Sequence, residues 1–253
     1  MMNKEMDLLK EMGHYIELHS VDGIKNCFKK GLNPNAKYEG KTLFELLTSM
    51  YTRTSRFRDC VRLFVDYGLE FENQSLLCVL LDDSSGLSRQ IQKNPELVKQ
   101  RITMKCAYTS LERASLLHVC AEFNHIHCAQ VLLDSGMDVD IKSGVDENGF
   151  GGQTPIFHTV NQNMNNSKEM MHLLLENGTD LKYNVQGLIW GKGFPWETFI
   201  PCINPISYAM FGLLPQMHRN EHIINGVVKE LMRRAFGMDY EIPNIPNDYL
   251  SQN

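Results

Sequence analysis

Five segments of this chain end in the same way, and that repetition constrains the fold more than any other feature. VDGIKNCFKKGLNPNAK, FRDCVRLFVDYGLEF, HCAQVLLDSGMDVDI, KEMMHLLLENGTDLKY and VVKELMRRAFGMDY each carry apolar residues three and four apart, then a glycine, then a short polar or extended piece. The spacing predicts an amphipathic helix. Gly31, Gly68, Gly136, Gly178 and Gly237 then fall just past each helix end, where a left-handed backbone suits glycine. The intervals are 37 residues from Gly31 to Gly68, 68 to Gly136 and 42 to Gly178, so the middle one fits two units with one glycine missing. A period near 40 residues is the signature of a repeat architecture.

A second, shorter helix precedes each of these. KTLFELLTSM, QSLLCVLL, ASLLHVCAEF, QTPIFHTV and NPISYAMFG begin with a small polar residue or Asn beside an apolar turn. Ser, Thr and Asn oxygens take up free helix amides, and Pro155 and Pro205 suit the first helical position. The unit is therefore helix, tight turn, helix, Gly, extended loop. One such pair cannot bury its apolar face alone, so stacked neighbours must cover it. With 253 residues, 43% of them hydrophobic and 22% charged, the chain can build a sizeable core without staples.

Charge and cysteine usage exclude several function classes. The net charge is −5, and Lys29-Lys30 and Arg233-Arg234 are only isolated basic pairs, so neither nucleic acid nor an anionic membrane surface is expected as a partner. No apolar run reaches the roughly 18 residues of a membrane span. The start, MMNKEMDLLKEMGHYIEL, lacks the apolar core of a signal peptide, and reads instead as an amphipathic helix that either caps the fold or meets a partner. Seven cysteines, with no C-x-x-C pair, read as reduced thiols in a cytoplasmic protein.

Ser115-Leu116-Leu117-His118, Asn124-His125, Leu132-Leu133 and Gly136-Met137 follow one another at fixed offsets. Thr154-Pro155-Ile156 repeats the first of these with Phe157 in place of His, and Asn204-Pro205-Ile206 repeats it more loosely with Ser207. Gly31-Leu32-Asn33-Pro34-Asn35-Ala36 has the form of a unit ending. These residues resemble the ankyrin repeat: a T-P-L-H turn, a first helix closing near G-H, a second helix with paired leucines, then G-A and a hairpin finger. The resemblance implies an all-α class, an ankyrin-repeat solenoid of stacked helix-turn-helix units with β-hairpin-like fingers. It spans residues 1–237 as units of about 5–38, 39–71, 72–105, 106–145, 146–184 and 185–237. The third unit is the weakest, with no terminal glycine. Pro243 and Pro246 make 238–253 an extended or disordered tail.

LLHVCAEFNHIHCAQVLLDSG packs His118, Cys120, His125, His127 and Cys128 into eleven residues. Structural zinc needs four converging ligands, and His125-x-His127 does not supply that geometry. A catalytic thiolate would need exposure beside a His. The resemblance gives both histidines turn-closing roles and makes Cys120 and Cys128 small buried residues, as it does Cys60; metal and Cys/His catalysis are the weaker alternatives. Two insertions interrupt the period. Asp140–Gln153 carries Asp146, Glu147 and Asn148, but lacks the spaced ligands of a calcium loop and reads as a lengthened finger. Val185–Pro205 holds Trp190, Phe194, Trp196 and Phe199, which either fold back over neighbouring helices or form an exposed anchor. Gly191-Lys192-Gly193 is no phosphate loop, since a Walker sequence needs G-x-x-x-x-G-K after a strand.

The resemblance further implies a non-catalytic, monomeric protein-interaction module without cofactor, binding a protein through its concave groove and fingers. Carried over residue by residue, its partner-binding positions are Lys41, Ser49, Met50, Gln74, Asp82, Asp83, Glu122, Phe123, Gln153, Asn161 and Gln162, joined by Trp190, Phe194 and Trp196 from the insertion. Asp82, Asp83 and Glu122, with Glu45, are expected on a solvated face, where they would favour a basic partner surface. A metal-dependent or Cys/His enzyme and a self-assembling structural solenoid are the competing readings.

Overall fold

The computed structural model describes residues 2–161, 165–211 and 220–239. Twelve α-helices among them form six successive pairs: α1 Met2–Glu17 with α2 Val21–Lys29, α3 Leu43–Ser49 with α4 Phe57–Asp66, α5 Gln74–Leu80 with α6 Ser84–Lys93, α7 Leu116–Phe123 with α8 Ile126–Asp134, α9 Phe157–Val160 with α10 Lys168–Glu176, and α11 Pro205–Met210 with α12 Glu221–Phe236. The members of each pair pack on each other. Successive pairs also meet like to like, α1 on α3, α2 on α4, α5 on α7, α6 on α8, α7 on α9 and α9 on α11. This is a helix-turn-helix solenoid.

Local chemistry explains where the helices begin and end. Thr42 accepts the Glu45 amide at 3.0 Å while the Glu45 carboxylate accepts the Thr42 amide at 2.7 Å, a reciprocal cap that starts α3. Asn73, Asp83 and Asn204 cap α5, α6 and α11 with their side chains. Gly31, Gly68, Gly136, Gly178 and Gly237 all have φ between 66° and 95°, the left-handed exit anticipated for them. The third unit needs no such glycine because Asn94 leaves α6 extended, at φ −143°, and caps the 3₁₀ turn Pro95–Lys99 that follows.

The all-α expectation needs correction. Among the described residues three antiparallel hairpins punctuate the helices: β1 Lys37–Tyr38 with β2 Lys41–Thr42, β3 Ile102–Met104 with β4 Leu111–Ala114, and β5 Val185–Trp190 with β6 Thr198–Ile203. The first turns through Glu39 and Gly40, both at positive φ (51° and 79°), which matches the right-handed twist of the flanking strands. The third comes from the second insertion, where Val185, Leu188, Trp190, Ile200 and Ile203 face the core. The 140–153 insertion forms a finger: Val145 bridges Gly151, and the Asp146 carboxylate accepts the Asn148 and Phe150 amides at 2.9 Å each. Asp146 is thereby spent on its own turn, and the finger docks through Gly151 N–H to the Gly187 carbonyl at 2.8 Å.

One continuous core runs through the stack. Phe28 meets Phe64 edge-on at 5.0 Å, Phe64 lies 5.6 Å from Phe44, and Phe44 lies 5.2 Å from Phe71, so aromatic contacts bridge the first and second units. Among the described residues no helix is long and apolar enough to cross a membrane.

Candidate partner-binding face

The His/Cys-rich segment is wired into the stack. His118 Nδ1 accepts the Ser115 amide at 3.2 Å, and Nε2–H donates to the Gln153 carbonyl at 2.9 Å, joining the fourth unit to the fifth. His125 Nδ1–H donates to the Val79 carbonyl of the third unit at 2.6 Å. Burial pushes His118 down to about 3, helped by the neighbouring His158, and pushes His125 down to about 4. Both imidazoles are therefore neutral. Cys120 and Cys128 have no exposed surface, and burial raises both thiols above their ordinary range. Burial likewise lifts Cys60 to about 12. Protonated, enclosed thiols cannot serve as nucleophiles. Among the described residues no three His, Cys, Asp or Glu side chains converge as metal ligands would.

Of the four acidic residues expected on a solvated face, Glu45 is exposed, but Asp82, Asp83 and Glu122 are tied into the fold, which corrects the reading that offered them to a basic partner. Asp82 has φ 52°; its Oδ1 accepts the Cys128 amide at 2.9 Å and its Oδ2 meets His127 at 2.7 Å and Arg58 at 3.2 Å. Asp83 is occupied in capping α6 through the Gly86 amide at 2.9 Å. Glu122 is fully enclosed between Arg53, 3.0 Å from Nε and 2.9 Å from Nη2, and His158 at 3.0 Å. Burial alone would raise the Glu122 carboxyl, but the Arg53 guanidinium overrides it and holds it below its ordinary value. These carboxylates satisfy helix amides and a buried cation, so none is free to meet a partner's basic groups.

Other expected positions are also enclosed. Gln153 is buried and donates to the Ser110 carbonyl at 2.5 Å. Phe123 is buried, stacked on Phe57 at 4.4 Å beneath the Arg53 guanidinium at 4.6 Å. Ser49 and Asn161 are buried as well, Ser49 against the wall of a pocket described below, and Gln162 lies outside the described residues. Lys41 and Met50 are half-buried and Gln74 is exposed. Of the insertion aromatics, Trp190 is buried. Trp196 is half-buried, donating to the Ala107 carbonyl at 3.0 Å and stacking on Phe194 at 4.7 Å. The tryptophans thus fold back, while Phe199 stays 47% exposed against Phe150 at 4.5 Å.

Two cavities are relevant. One of about 230 Å³ lies at the interhelix turns beside Arg53, Phe57, Phe123 and Asn166, and its polar groups are tied to one another; Asn166, for instance, donates to the Arg53 carbonyl at 2.7 Å. The other, about 290 Å³, lies where α3, the start of α5 and β3 meet. Phe44, Phe71, Leu76 and Met104 form its floor, and Lys41 and Lys105 stand at its edge. Lys41 and Ser49 are the two expected positions that line it. Arg53, Lys105 and His158 were not singled out from sequence. Arg53 and Lys105 sit in segments without helical period, YTRTSR and ITMKC, so no spacing signal marks them.

A stack of short helix pairs with hairpins between them, cross-linked by side chains from one unit to the next, defines a repeat solenoid. The ankyrin-repeat family model matches residues 87–185 with three copies, so this stretch of the chain is built of ankyrin-type repeats. No curated protein matches it.

Proposed function

We propose that the chain is a non-catalytic protein-binding module that takes its partner on the face made by the first helices and the fingers. Ankyrin repeats are generally protein–protein interaction modules. The observation that carries the reading is how the polar groups divide. Buried histidines, thiols and carboxylates are consumed in holding units together, whereas the α3–α5–β3 face keeps half-buried apolar side chains open beside lysines. An enzyme would instead hold convergent, perturbed and accessible titratable groups in a cleft. On this reading residues 1–237 act as one repeat domain followed by the 238–253 tail, and the protein works as a monomer without cofactor. Seven unpaired cysteines favour a reducing compartment, the cytoplasm.

The test is site-specific photo-crosslinking in the native cell. A photoreactive residue at Gln74, exposed on α5, should yield a discrete crosslinked protein; one at Arg62, exposed on α4, should not. Equal crosslinking from both positions, or from neither, contradicts the reading.

A further inference from the structure

The 290 Å³ pocket has a chemistry of its own. Phe44 and Leu76 are nearly enclosed, but Phe71 and Met104 are half-buried, so an apolar floor lies open to the outside. The size is at the low end for a small-molecule site, where cavities of ~300–1,000 Å³ are usual, and suits one large side chain. At the edge stand two ammonium groups. Lys41 belongs to β2 and is held by its pairing with Tyr38. Lys105 is fixed by a 2.9 Å hydrogen bond to the Gly193 carbonyl and by the Phe194 ring, 4.4 Å from its Nζ. The two lysines are near enough that Lys41, after burial, pushes the Lys105 ammonium below its ordinary value. Glu45 also lines the pocket, but its carboxylate is committed to the Thr42 amide and hydroxyl at 2.7 and 2.9 Å. Two like charges held together beside an uncovered apolar floor are relieved by an anion that arrives attached to an apolar group.

We propose that this pocket seats an aromatic or large aliphatic side chain of an extended peptide segment from a partner protein, with an adjacent Asp or Glu carboxylate received between Lys41 and Lys105. The inference rests on the reading of this face as a protein-binding surface and adds the chemistry of what binds there. The polarity is opposite to a basic partner, because Asp82, Asp83 and Glu122 are paired internally and Glu45, though exposed at the pocket, is held by its cap on Thr42, which leaves the two lysines to receive a charge. Lys105 and Phe194 tie the insertion to the pocket, so the 185–205 aromatics act by fixing a binding lysine rather than as the anchor themselves.

The probe is a phage-displayed library of random dodecapeptides selected on the intact protein, with enriched peptides resynthesised and measured by fluorescence polarisation. The expected consensus is an apolar residue next to Asp or Glu. Affinity should fall about 10-fold or more in Lys41→Glu/Lys105→Glu. It should be unchanged in Lys25→Glu/Lys93→Glu, which makes the same charge change at exposed sites elsewhere. Phe71→Ser should weaken binding by a similar factor, and thermal melts of all variants establish that they fold. Enriched peptides that are basic, or whose binding is indifferent to Lys41→Glu/Lys105→Glu, overturn the pocket assignment while leaving a protein-binding face intact. No enrichment on the intact protein counts against both.

Discussion

Asp82 and Asn124 do the same work 42 residues apart. Each stands at the turn between the two helices of its unit in a left-handed conformation, at φ 52° and 57°. Each turns its side-chain oxygen onto the third amide of the next unit's second helix: Asp82 Oδ1 on Cys128 N at 2.9 Å, Asn124 Oδ1 on Met170 N at 3.1 Å. Neither α8 nor α10 has a side-chain cap from its own N-cap residue, so the preceding unit supplies it. His19, at φ 46°, marks the same place in the first unit and bonds Thr54 of the second at 2.9 Å. The repeats are thus joined by directional bonds as well as by apolar packing.

Asp82→Ala removes a helix cap and leaves a shielded amide and a carboxylate-paired Arg58 without their partner. A loss of about 1–3 kcal/mol is expected in urea unfolding. Asp82→Asn keeps the Oδ1 acceptor and should lose less. Equal stability of Asp82→Ala and the parent protein would show that the cross-unit cap contributes nothing.

The Arg53–Glu122 pair should be costly to break from either side. Removing the carboxylate in Glu122→Ala strands a guanidinium whose side chain is 4% exposed, and buried pairs broken this way lose about 3–5 kcal/mol. Arg53→Met combined with Glu122→Leu, which removes both charges, should recover much of that loss. A double-mutant cycle checks it; additive single effects would mean the two groups do not stabilise each other.

Acid should unfold the protein in a window set by its buried histidines. Burial lowers His19 and His125 to about 4 and His118 to about 3, from an ordinary 6.5. In the unfolded chain all three bind a proton below pH 6.5, whereas in the native state they do not until pH 4 or lower. The unfolded state therefore gains protons first, and stability falls as pH drops from 6.5 towards 4. The slope approaches about 4 kcal/mol per pH unit when all three differ by a full proton. Glu122, held below its ordinary 4.5, loses its contribution as pH falls further, in the same direction. Urea midpoints measured from pH 7.5 to 4.5 should decline steeply below 6.5; a flat profile would mean these imidazoles are not enclosed.

Thiol reactivity should separate one cysteine from six. Cys202 is exposed, while Cys27, Cys60, Cys78, Cys106, Cys120 and Cys128 are buried. An aromatic disulfide reagent should titrate one thiol quickly in native protein and seven in denaturant, and Cys202→Ser should abolish the fast phase. Several fast thiols would indicate an open stack.

The helix pairs were legible because the 3.6-residue period and the terminal glycines survive in the sequence even where the turn residues do not. Phe157 and Ser207 replace His118's equivalent, yet α9 and α11 still form. His118 closes its own turn on Ser115 and also joins its unit to the next through Gln153, whereas the bond of His125 joins its unit to the preceding one through Val79. The hairpins were less legible, since β1 and β2 are two residues each and are fixed by Glu39-Gly40 rather than by any alternation. The acidic positions were misread because residue-by-residue transfer treats Glu122 as a surface position. Its actual surroundings depend on Arg53, 69 residues earlier in a loop with no period of its own. The lysine-edged pocket was half visible: Lys41 falls on a repeat position, but Lys105 reaches it only through the β3 hairpin.

Amide hydrogen exchange tests the cross-unit linkage most directly, read at Cys128 and Met170 in Asp82→Ala and Asn124→Ala. The linkage predicts a crossed pattern: Cys128 loses protection in Asp82→Ala and keeps it in Asn124→Ala, while Met170 does the reverse. Unchanged protection at both amides in both variants would contradict a stack whose units are fastened to one another by these side chains.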